Sequence, residues 1–123
     1  MRTEEFSDGA GGYCVTTIVN GREFILSQQM KEGTHGVARA AERIVREMDG
    51  VPTIGVRYLM LQRGIETEMQ TGMQLTRGPS ASARVKREYG IRTRLSKEKT
   101  LVAFQMLLQF AQMLYRERKE EEE

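Results

Sequence analysis

A helix from Ser96 to about Arg118 carries two apolar stripes, and no other feature constrains the fold as much. Leu101, Phe104, Leu108, Ala111 and Tyr115 form one stripe; Val102, Met106, Phe110 and Met113 form the other. At about 100° per residue, Glu98, Gln105, Gln109, Gln112, Arg116 and Lys119 share only a narrow polar strip. A helix this apolar lies at the centre of a core or is shared with a second copy. With 123 residues the chain is long enough for one domain and a modest core. Two stripes exceed what so short a chain is expected to cover. The sequence therefore predicts a homodimer with Leu101, Phe104, Leu108, Phe110 and Met113 in its seam.

The rest of the chain supplies the elements around that helix. Residues 1–12 are polar, end in Asp8-Gly9-Ala10-Gly11-Gly12, and read as a flexible lead-in. A phosphate loop is disfavoured there, because no Gly-Lys-Ser/Thr follows. Residues 13–28 read as a β-hairpin. Val15 to Val19 are β-branched, Asn20-Gly21 suits a type I′ turn, and Phe24, Ile25 and Leu26 continue the return strand. Thr34 is placed to cap a helix to about Met48, with Val37, Ala41, Ile44, Val45 and Met48 on one face. Gly50 and Pro52 stop it. Ile54, Tyr58, Leu61, Ile65 and Met69 make the apolar stripe of a further helix, where Gly64 marks a kink or a close helix contact and Gly72 a C-cap. After a loop at 75–79, Pro79 at the first helical position, or Ser80 or Ser82 as cap, starts a short helix that Gly90 ends. Residues 91–95 connect it to the last helix, and 119–123 form an acidic tail. The architecture is α+β: an N-terminal β-hairpin, then a mostly helical bundle over 34–118 with a long C-terminal helix.

The inventory for catalysis is thin. His35 is the only histidine and has no Cys or Asp near it in sequence, so a capping or surface role is the simpler reading. Cys14, the only cysteine, lies in a strand-like run with no adjacent base to activate it and cannot form an internal disulfide. Asp8 and Asp49 sit at glycine turns. Glu66 and Glu68 point to different faces of their helix. The eight methionines fall mainly at helical spacing and read as core filling. The chain is read as non-enzymatic, without metal or cofactor. It opens without an apolar leader and has no run of membrane-spanning length, so a cytoplasmic location is expected.

Charge is the informative property. The total is only +2, which excludes a uniformly basic protein. Yet residues 77–99 hold eight basic groups against Glu88 and Glu98, and the segments on either side are each net acidic. A local concentration of this kind attracts polyanions. Arg77, Arg84, Arg87, Arg92 and Arg94 are the candidate phosphate ligands, and the turn from Gly78 to Ser80 offers backbone N–H groups at a helix start. A DNA-reading helix-turn-helix fits poorly. Lys86 would stand where a small residue packs, and the helix after it is apolar on both sides. Tyr89 is the only aromatic residue in the segment, so stacking of single strands has little support.

Met69-Gln70-Thr71-Gly72-Met73-Gln74-Leu75-Thr76-Arg77-Gly78, with Ser80 and Lys86-Arg87-Glu88-Tyr89-Gly90-Ile91, resembles a segment of small accessory proteins of bacteriophages and phage-like genomes. The resemblance implies action in a bacterial cytoplasm and assigns no functional residue. Two functions follow as expectations. The first is binding of nucleic acid or a nucleotide phosphate through residues 77–99. The second is a protein-interaction module, such as an inhibitor of a host enzyme or defence component, working through a helical face or the hairpin edge.

Overall fold

The computed structural model describes residues 3–7, 11–72 and 78–122. Strands β1 (Thr3–Ser7), β2 (Tyr13–Val19) and β3 (Arg22–Ile25) form an antiparallel sheet in the order β1-β2-β3. Helices α1 (Leu26–Gln29), α2 (Gly33–Gly50), α3 (Ile54–Thr71), α4 (Ala81–Tyr89) and α5 (Lys97–Glu122) follow, giving the α+β fold. No described helix is long and apolar enough to cross a membrane.

The hairpin turn forms as its dipeptide requires, with φ of 53° at Asn20 and 77° at Gly21. Two differences from the sequence reading surround it. The expected flexible lead-in contains β1, which pairs with β2 from Thr3↔Thr17 to Ser7↔Tyr13. With β3 alone, β2 would leave one row of its backbone groups unpaired, and β1 satisfies that row. The return strand also ends at Ile25, and Leu26–Gln29 curls into a single helical turn. That turn brings Leu26 and Met30, four residues apart, into the core together, both fully buried. Met30 then bridges to Ile91, far along the chain.

The α2 helix starts two residues earlier than predicted: Glu32, not Thr34, is its N-cap, and no side chain caps it. Its inner face is Val37, Ala40, Ala41, Ile44 and Val45. In α3 the stripe holds through Ile54, Tyr58 and Ile65, but Met69 is exposed and Glu68 is buried in its place. Gly64 is a close contact: a Cβ there would stand 2.8 Å from the Ala81 Cβ of α4. Ser80 caps α4, its Oγ accepting from Ala83 N at 3.1 Å, and Ser96 caps α5.

The α5 helix is the centre of the molecule, and most of the residues predicted for a dimer seam pack inside the single chain. Phe104, Leu108 and Phe110 are buried within a single chain. Phe104 packs against the rings of Tyr58 and Tyr89, with centroids 6.2 and 5.4 Å away, and Phe110 meets Tyr13 edge-on at 4.9 Å. Leu101 is half-buried against the same core. Of the five seam residues only Met113 is exposed. The sheet and helices α1 to α4 cover most of both stripes and leave Met113 exposed, each fully buried large side chain gaining roughly 1.5–3 kcal/mol.

Candidate functional site

The packing of α2 dictates what its outer side presents. With Val37, Ala41, Ile44 and Val45 turned inward, Arg39 and Arg46 stand exposed and Arg43 turns toward α4. Between the two helices lies a groove of about 610 Å³, lined by Lys31, Arg39, Arg43 and Arg46 from the α2 side and by Arg87, Glu88 and Tyr89 from α4.

The carboxylates lining this groove are all engaged. Glu32 pairs with Arg39 at 2.6 Å. Glu42 accepts two hydrogen bonds from Arg118, near the end of α5. Those bonds hold the Glu42 carboxyl below its ordinary value, against the opposing effect of partial burial. Glu88 pairs with Arg57 of α3 at 2.5 Å. Arg118 and Arg57 stand outside the groove, so two of its three acids are paired by arginines that do not line it, although the Arg46 charge also acts on Glu42. Lys31, Arg46 and Arg87 make no ion pair among the described residues.

Arg43 is fixed in place and forms part of the floor. Its Nη1 donates to the Glu88 carbonyl at 2.5 Å, and its guanidinium lies 5.2 Å from the centroid of the Tyr89 ring. The Tyr89 hydroxyl donates to Glu47 Oε1 at 3.2 Å, and Arg57 pairs with the same carboxylate at 3.1 Å. Burial, followed by the Glu47 charge, pushes the phenols of Tyr58 and Tyr89 well above their usual value. This network locks α2, α3 and α4 together beneath the groove.

The structure disperses the residues predicted as phosphate ligands. Arg77 lies outside the described residues. The Gly78–Ser80 turn is no open anion site. Ala81 N donates to Glu68 Oε1 at 2.8 Å, Ala83 N to Ser80 Oγ, and Arg84 N to Ser80 O. Gly78 is exposed, in the left-handed region with φ of 95°. Arg84 faces α3, in a second groove with Val56, Met60 and Leu61. Lys86 holds the connector, donating to the carbonyls of Thr93 at 2.9 Å and Leu95 at 2.7 Å, and burial lowers its pKa. The Nε of Arg92 donates to the Gln28 carbonyl at 3.0 Å. Arg94 is exposed on the connector. Of the six predicted residues that are described, only Arg87 lines the cationic groove.

Sequence reasoning missed the α2 contribution. The signal was present in Arg39, Arg43 and Arg46, spaced i, i+4 and i+7 opposite the apolar stripe, but the charge of the whole segment before residue 77 concealed it. The remaining candidates are quiet. His35 is exposed, Cys14 is half-buried in β2, and the described residues contain no metal-binding cluster of His, Cys, Asp and Glu. A different surface stands on α3, where Val56, Leu59 and Met60 are exposed beside the second groove, a space of about 560 Å³.

No protein-family model, curated protein or solved structure matches the chain.

Proposed function

We propose that the protein is a non-enzymatic module that binds a polyanion, nucleic acid or a phosphorylated ligand, in the groove between α2 and α4. The observation that supports this reading is the charge balance of that groove. Its carboxylates are paired, two of them by arginines from outside, while Lys31, Arg46 and Arg87 make no salt bridge among the described residues. Guanidinium and ammonium groups left without partners in a concave surface are suited to phosphate oxygens. The test is retention on a heparin column. Arg46→Ala with Arg87→Ala is expected to elute at lower salt than the parent protein, and Arg94→Ala at nearly the same salt. Failure of the parent to be retained at low salt removes the proposal.

A protein partner is the second reading, and the exposed Val56, Leu59 and Met60 favour it. Exposed apolar side chains grouped on one helix are a common mark of an interaction surface. A pull-down from bacterial lysate comparing the parent with Met60→Glu tests it; a stoichiometric partner retained by both proteins places the contact elsewhere.

A further inference from the structure

We infer that the ligand of the α2–α4 groove is a nucleic-acid backbone read through its phosphates alone, blind to the bases; this rests on the polyanion reading above. Recognition of a base requires a free aromatic face to stack on, or free acceptors and donors to match its edge. The groove offers neither in full. Tyr89 is the only aromatic residue among the described residues that line it, and that ring is buried, 3% exposed, with the Arg43 guanidinium 5.2 Å and the Phe104 ring 5.4 Å from its centroid. The side-chain acceptors that line it are Glu32, Glu42 and Glu88, each held by an arginine. What remains is donor-only: the ammonium of Lys31 and the guanidiniums of Arg46 and Arg87.

Phosphate oxygens are pure acceptors, so they match such a surface. A free nucleotide would leave its base without a partner and would gain little over inorganic phosphate. A duplex presents phosphates at high axial density and hides its bases, so it loses nothing by this lining. Three cations without a salt bridge among the described residues correspond to about three neutralised phosphates. The logarithm of affinity should then fall against the logarithm of salt with a slope of about −3.

The experiment is fluorescence anisotropy on the full chain with two short labelled duplexes, one GC-rich and one AT-rich. Salt runs from about 50 to about 200 mM. Oligo-dT of equal length and ATP serve as competitors. The expected result is equal affinity for the two duplexes within about two-fold, a slope of about −3, and weak competition by ATP. Arg46→Ala and Arg87→Ala should each make the slope shallower by about one, with circular dichroism showing an unchanged fold. A strong preference for one duplex, tighter binding of oligo-dT, or efficient displacement by ATP overturns base-blind reading while leaving polyanion binding intact. Absence of binding to every probe at the lowest salt overturns both.

Discussion

Gly64 is the position where one hydrogen atom in place of a methyl group decides how two helices meet. A Cβ there would lie 2.8 Å from the Ala81 Cβ, closer than carbon atoms approach without displacement. Because Ala81 is the first residue of α4, its Cβ cannot swing aside as the tip of a long side chain would. Ala has the higher helix propensity by about 1 kcal/mol, but overpacking at a rigid contact costs about 1–3 kcal/mol. Gly64→Ala should therefore be neutral to destabilising by up to about 2 kcal/mol in urea denaturation. Adding Ala81→Gly to that variant should recover the packing part of the loss. If the double variant is no more stable than expected from the two single changes, the contact is not what limits Gly64. The sequence already marked this glycine as a close contact or a kink, because a glycine inside an apolar stripe needs a reason. The partner was invisible, since it lies on another element.

At the scale of elements, local chemistry was readable and assembly was not. Asn20-Gly21, Gly72, Ser80, Gly90 and Ser96 each specify a turn or cap through their own backbone preferences, and each does so in the structure. The β1 strand escaped because its pairing with β2 is a relation between segments, with no signature of its own. The basic segment misled for a related reason. A nine-residue helix points Arg84, Lys86 and Arg87 in three directions, so contiguity in sequence became separation in space. The end of α5 gives the clearest case of one element acting on another. Arg118 lies outside the groove but covers the Glu42 carboxylate that lines it. Arg118→Ala is expected to weaken polyanion binding by exposing that negative charge. Arg116→Ala, at an exposed position on the same helix, removes an equal charge and unmasks no groove carboxylate. Equal losses in the two variants, measured by anisotropy, would mean that net charge alone matters.

For the whole molecule, the +2 total is the sum of a net basic stretch at 77–99 and net acidic stretches on either side of it. The packing that covers α5 also buries two phenols, and this sets the alkaline limit of stability. Tyr58 and Tyr89 are held above the ordinary value of 10.0, first by burial and then by the Glu47 charge. Above that pH the unfolded chain loses their protons while the folded one keeps them, so stability must fall as pH rises. Lys86, lowered by burial, acts in the opposite direction just below its ordinary 10.5, but it is one group against two. Phenolate absorbance from Tyr58 and Tyr89 should rise together with loss of helical circular dichroism; ionisation well before unfolding would contradict their burial. The small bridge between Met30 and Ile91 carries another consequence. Lys31 N donates to Gly90 O at 2.9 Å and Arg92 N to Gln29 O at 2.8 Å, fastening together two stretches far apart along the chain. Closing so long a loop costs about 4 kcal/mol of chain entropy before either bond returns anything. The clasp is thus expected to form late in folding. In pulsed hydrogen exchange the amides of Lys31 and Arg92 should gain protection after those of the β2–β3 hairpin, whose strands need only a two-residue turn to meet.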